Sequence, residues 1–131
     1  MTKFYYHKDG TQPDSAIFVF GSNLAGRHGA GAAKAAMEKF GARYGVGIGF
    51  TGNSYAIPTK DYDILTLPLG VVHVFIRQFV QVTQHMKETE FFVTRVGCGL
   101  AGYTDDQIAP LFRECNPQNC SMPENWKEYL E

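Results

Sequence analysis

The sequence predicts an α/β fold with a mixed, mostly parallel central sheet flanked by helices. Short apolar runs suited to buried strands alternate with segments of helical periodicity. Two of these runs, ending at Phe20 and Val96, pass directly into glycine-rich loops, Gly21 to Gly31 and Gly97 to Tyr103. Each loop opens onto a helix, the order in which parallel strands deliver their C-terminal ends to one edge of a sheet.

Taken in order, Lys3 to Tyr6 is an aromatic stretch that reads as an edge strand, followed by a turn at Asp9-Gly10 and a loop through Pro13-Asp14. Ala16 to Phe20 is a run of apolar residues, a buried strand, and Gly21-Ser22-Asn23 turns the chain out of it. A helix spans about Gly29 to Phe40, with Ala33, Ala36, Met37 and Phe40 on one face and Gly41 as its C-terminal cap. Between Ala42 and Ser54 glycine is frequent, and the segment reads as loop with one short strand. Tyr55 to Thr59 is a strand in which Pro58 marks either the end of pairing or an edge. Leu65 to Gly70 connects it to an amphipathic helix, Val72 to Lys87, whose buried stripe is Val72, Phe75, Ile76, Phe79, Val82, Thr83 and Met86. Phe91 to Val96 is the third strand. Thr104 and Gln107 then form a capping box for a helix toward Phe112, kinked or shortened at Pro110.

The chain reads as one domain, residues 1–131, with its core at about 16–112. Residues 113–131 read as an irregular C-terminal wrap with a helical turn or two at Trp126 to Leu130. A formal charge of −1 and a pI near 6.4 argue against a general nucleic-acid binder. The start, MTKFYYHKDG, lacks the apolar core of a signal peptide, and no apolar run approaches the ~20 residues that span a bilayer. A cytoplasmic location and no membrane partner are expected. Cys98, Cys115 and Cys120 make an odd number with no C-x-x-C pair, so reduced thiols, no metal and no cofactor are expected.

Chemistry concentrates at the predicted strand ends. Gly21, Gly26, Gly29 and Gly31 let backbone approach a ligand, and the free N–H groups opening the helix favour an anion such as a diphosphate. Asn23 offers a donor and an acceptor to a ribose, Arg27 supports the diphosphate, and Tyr103 supplies an aromatic wall. His28 reads as a solvent-facing loop histidine. Arg95 reads as an ion-pair residue at the sheet end, and Cys98 as a small residue permitting close backbone approach rather than a nucleophile.

The segments GSNLAGRHGAGAAKAAMEKFG and VTRVGCGLAGY resemble the first ligand loop with its helix and the second, phosphate-binding loop of macro domains. Gly29-Ala30-Gly31-Ala32-Ala33, Ile57-Pro58-Thr59-Lys60 and Gly97-Cys98-Gly99-Leu100 are similar, in the same order, to motifs of the terminal ADP-ribose protein glycohydrolase branch of that family. The chain is also similar to small phage or prophage macro-like proteins. The match spans roughly Ala16 to Phe112, so the resemblance implies a macro-like fold truncated at its C-terminal end. It implies an ADP-ribose-like ligand held by Gly21, Ser22, Asn23, Leu24, Gly26, Arg27, Gly29, Ala30, Gly31, Thr59 and Gly97 through Tyr103, that is Gly97, Cys98, Gly99, Leu100, Ala101, Gly102 and Tyr103. Asp9 is then the acidic residue beside adenine.

In that branch the lysine attacks the sugar C1 and an aspartate directly after G-C-G-L assists. Lys60 matches the lysine, while Ala101 stands in the aspartate's place, with Asp61, Asp105 and Asp106 as substitutes nearby. An exposed strand-end lysine explains Lys60 equally well. Three readings stay open: a module binding ADP-ribose, free or on a macromolecule; an ADP-ribosyl hydrolase using Lys60; and a phage-type protein that sequesters or degrades a nucleotide signal.

Overall fold

A computed structural model of the chain describes residues 3–131. Its elements are β1 (Tyr5–His7), β2 (Ile17–Asn23), α1 (Gly31–Lys39), β3 (Gly49–Thr51), β4 (Ser54–Lys60), α2 (Leu69–His85), β5 (Phe91–Val93), α3 (Asp105–Ile108), β6 (Cys120–Pro123) and α4 (Lys127–Leu130), with 3-10 turns at Ala109–Phe112 and Glu124–Trp126. The six strands form one sheet in the order β1-β6-β5-β2-β4-β3, parallel throughout except for β3 against β4. The fold is α/β with a mostly parallel mixed sheet, as the alternating pattern predicts.

Alternation along β2 sends its side chains to two different cores. Val19 joins Ile57, Val72, Ile76, Phe79, Phe91, Phe112, Met122 and Trp126 beneath α2 and the C-terminal turns. Phe18 and Phe20 join Ala33, Ala36, Ala56 and Phe92 beneath α1. The small residues of α1 bring its backbone close to the sheet. Gly41, at φ +74°, lets the chain leave the helix with the Ala42 N–H bonded back to the Ala36 carbonyl at 3.1 Å.

The structure corrects several expectations. Gly21-Ser22 is strand rather than turn, because the two residues stay in register with Ile57 and Pro58 of β4, and β2 runs on through Asn23. Pro58 lies in an interior strand but past the end of its pairing on one side, the first of the two alternatives the proline offered. Pairing of β4 with β3 has ended at Ala56, so the missing N–H is not needed on that side, while pairing with β2 continues. The third strand stops at Val93: the Thr94 N–H makes the last ladder bond, to the Val19 carbonyl at 3.0 Å, and the Thr94 carbonyl then accepts the Val96 N–H at 2.7 Å in a tight turn. Met37 and Met86 are exposed, and Val80 is buried in α2 instead.

The largest correction concerns the tail. Residues 113–131 are not merely a wrap, and the sheet is not truncated. The tail supplies β6, an interior strand between β1 and β5, before the short helix foreseen near Leu130. Asn119 anchors its start, donating to the carbonyls of Thr83 and Met86 at 3.0 Å each.

Candidate functional site

At the C-terminal edge of the parallel strands lies a cavity of about 710 Å³. Three chain segments expected there, together with the β1–β2 loop, form its walls. The lining includes Gly21, Ser22, Asn23, Arg27, Gly29, Ala30 and Gly31 from the first segment. Thr59 and Lys60 come from the end of β4, and Gly97, Cys98, Gly99, Leu100 and Ala101 from the second glycine loop. Leu24, Gly26, Gly102 and Tyr103 lie outside the lining.

The excluded residues shape the walls from behind. A Cβ on Gly26 would sit 2.3 Å from the backbone carbon of Gly45, so this glycine lets two loops touch. Leu24 packs against the larger core. Tyr103 is no open aromatic wall. Its ring lies behind Gly97, and its hydroxyl donates to the Leu67 carbonyl. By contrast, a Cβ on Gly29 or Gly99 would meet nothing within 4 Å, so both present bare backbone to the cavity. Ala30 caps α1 without a side-chain hydrogen bond, which leaves the first N–H groups of that helix facing the same space.

Asn23 is more committed than the ribose reading requires. Its Nδ2 donates to the Arg27 carbonyl and its Oδ1 accepts the Arg27 N–H, both at 2.9 Å, closing the loop that aims Arg27. His28 is fully buried rather than solvent-facing. Its Nε2 lies 3.2 and 3.0 Å from the carbonyls of Arg43 and Val46, so the proton sits on Nε2 and the ring ties the first loop to residues 43–46. It lies outside the cavity lining.

The carboxylates offered as partners for Lys60 are engaged elsewhere. Asp61 accepts the N–H groups of Asp63 and Leu65 at 2.9 and 3.0 Å. Asp105 binds Arg95 through both oxygens, at 2.9 and 2.7 Å, and accepts the Trp126 indole N–H at 2.8 Å. Asp106 accepts the Thr104 hydroxyl. Arg95 is the ion-pair residue its position suggested, bridging Asp105 and, at 3.3 Å, Asp9. Among the described residues Asp9 is the sole carboxylate side chain in the lining, and it is paired. Arg27 and Lys60 line the cavity with no carboxylate within 4.0 Å among the described residues. Burial, followed by the nearby Asp105 charge, pushes the Cys98 thiol up to about 12, so it stays protonated and is a neutral wall.

Sequence reasoning did not place His7, Phe18, Ile64 or Phe92 at the site, yet all four line the cavity. The His7 ring stacks on Phe92 with centroids 3.6 Å apart and planes 18° from parallel, and its Nδ1 lies 2.7 Å from the Ser121 hydroxyl. Burial lowers the His7 imidazole to about 4, so this surface is uncharged at neutral pH. The alternation of β5 carried the only usable signal, since Phe92 must face away from the buried Phe91 and Val93.

No family model matches the chain, and no curated protein or solved structure is significantly similar to it. Among the described residues, no helix is long and apolar enough to cross a membrane, and no group of three or more His, Cys, Asp or Glu is placed to hold a metal ion.

Proposed function

We propose that the protein binds ADP-ribose or a related diphosphate nucleotide in this cavity. The observation that carries the reading is the convergence of two bare-glycine surfaces, at Gly29 and Gly99, on one space that also holds Arg27 and Lys60, cations without a carboxylate partner among the described residues. Backbone N–H groups and a helix N-terminus suit phosphate oxygens, and two cations without carboxylate partners add to the attraction. A volume of about 710 Å³ lies within the range of small-molecule sites, and the uncharged His7–Phe92 stack offers a flat surface for a base. The macro-like resemblance of the glycine loops points the same way.

Binding has more support than hydrolysis. A lysine nucleophile needs a partner to move protons. Ala101 offers none, Asp61, Asp105 and Asp106 are committed, and Asp9 is held by Arg95.

Calorimetric titration with ADP-ribose, with AMP and ribose 5-phosphate as controls, tests the reading. Micromolar or tighter binding that requires the intact diphosphate is expected. Gly99→Val should weaken it by at least about tenfold, equivalent to ~1.4 kcal/mol, without changing the melting temperature, since the added side chain enters open space. No heat from folded protein would remove the nucleotide reading.

A further inference from the structure

Arg95 lines the cavity beside Arg27 and Lys60, and it differs from both in being held in a fixed orientation. Asp105 accepts from its Nε and Nη2 through two carboxylate oxygens, at 2.9 and 2.7 Å, and Asp105 is itself held by the Trp126 indole N–H at 2.8 Å. A guanidinium gripped along one edge has its plane fixed and its remaining nitrogen, Nη1, directed away from that partner. Among the described residues, the one hydrogen-bond acceptor for Nη1 is Asp9 Oδ2, at 3.3 Å the longest of the guanidinium's contacts. The two side chains are 32% and 48% exposed, so their pairing is open to an incoming ion.

Asp9 sits on the β1–β2 loop, which lines the cavity with Asp9, Gly10, Thr11 and Gln12. This wall is lightly fastened. Residues 8–12, 14 and 15 are exposed, and among the described residues no backbone hydrogen bond joins residues 9–15 to anything outside the loop. Two side-chain contacts tie it down, Arg95 to Asp9 and Lys39 to Gln12, both at 3.3 Å. Exposed contacts of this kind contribute little.

The Asp9 contact is at odds with an anionic ligand. A diphosphate entering the cavity would meet the carboxylate charge and find Nη1 occupied. Exchange removes both obstacles. A phosphate oxygen that replaces Asp9 on Nη1 meets a charged donor whose orientation Asp105 has already fixed, and the carboxylate moves out to water with its loop.

Resting on the nucleotide-binding reading, we propose that Arg95 is a phosphate-binding residue of the cavity and that Asp9 is its autoinhibitory counter-ion. The ligand's diphosphate displaces Asp9 from Nη1 and releases the β1–β2 loop, so binding exchanges one anion for another.

The test is calorimetric titration of the full chain with ADP-ribose, using the wild type, Asp9→Asn, Arg95→Gln and the double variant. Asp9→Asn removes the competing charge at an exposed position and should bind about three- to tenfold more tightly. Arg95→Gln should bind at least about fivefold more weakly, and in that background Asp9→Asn should gain less than about twofold, because the cation it uncovers is gone. Where Arg95→Gln does not fold, Arg95→Lys takes its place in the cycle. One ammonium cannot grip both Asp105 oxygens and also present a fixed donor to the cavity, so the same two losses are expected. Unchanged affinity in Asp9→Asn overturns the proposal, and a fall in affinity overturns it by making Asp9 a ligand contact. A gain of equal size with and without Arg95 also overturns it, because Asp9 would then repel the ligand directly. If folded wild type and folded Asp9→Asn both fail to bind, the nucleotide reading goes and this proposal with it, whereas binding that ignores Asp9→Asn removes the proposal alone.

Discussion

A methyl group on Gly47 would lie 2.1 Å from the Asn23 carbonyl oxygen, whereas one on Gly29 would touch nothing. The two glycines sit in similar sequence surroundings and have opposite jobs. Gly47→Ala should therefore cost about 3 kcal/mol or more in urea unfolding, because backbone must move to admit the side chain. Equal stability of this variant and the wild type would show that the two loops separate freely. Glycine frequency marked the region of the site, but it could not tell the glycines that face a ligand from those that let two backbones touch. That distinction is set by residues distant in sequence, such as Gly45 behind Gly26. His7 was invisible for the same reason, since its partners Phe92 and Ser121 arrive from β5 and β6. Its depressed value of about 4 has a consequence for stability. The unfolded chain, with an ordinary histidine near 6.5, binds more protons than the folded one between pH 6.5 and 4. Stability from this group is full above pH 6.5 and is lost as pH falls toward 4. Because the ring is only partly buried and is screened by solvent, the loss should be about 1–2 kcal/mol rather than the full linkage value. Denaturation at pH 7.5 and 4.5 should show a smaller loss for His7→Gln than for the wild type; an identical loss in both would exclude His7 as its source.

At the scale of elements, most were legible, the short interior strand β5 among them, and β6 was not. The stripe of α2 and the apolar run of β2 are local patterns. Cys120–Pro123 is four residues long, ends in proline and is buried on nearly every side, so it has neither alternation nor length to announce a strand. Its place between β1 and β5 is secured by the residues C-terminal to it. Trp126, fully buried, packs against Phe112 with centroids 5.1 Å apart and gives its indole N–H to Asp105, which in turn holds Arg95 beside the second glycine loop. The tail is thus fastened to the loop it supports. Trp126→Phe keeps most of the ring contact and deletes the donor. It should cost about 1–3 kcal/mol, the range for a bond to a charged acceptor plus a small loss of packing. An unchanged urea midpoint would mean that the indole bond does not fasten the tail.

For the molecule as a whole, the two layers on either side of the sheet are unequal. On one side α2 buries Val72, Ile76, Phe79 and Val80, at about 1.5–3 kcal/mol for each large side chain. On the other, α1 buries only Ala33 and Ala36. The weaker layer carries Gly29 to Gly31 and the free N–H groups at the cavity, so the element placed to bind is also the one least secured by packing. In the free protein, amides of α1 should exchange through a partial opening that leaves α2 protected. If ADP-ribose occupies the cavity, opening α1 destroys the site, and the ligand must oppose that opening as strongly as it opposes global unfolding. At about 100 times its dissociation constant, both helices should gain about 2.7 kcal/mol of protection by hydrogen exchange. A gain confined to α2 would mean that α1 can open while the ligand stays bound, which would place the ligand elsewhere on the molecule. Equal protection of the two helices in the free protein would mean that the thin alanine layer is as secure as the aromatic one.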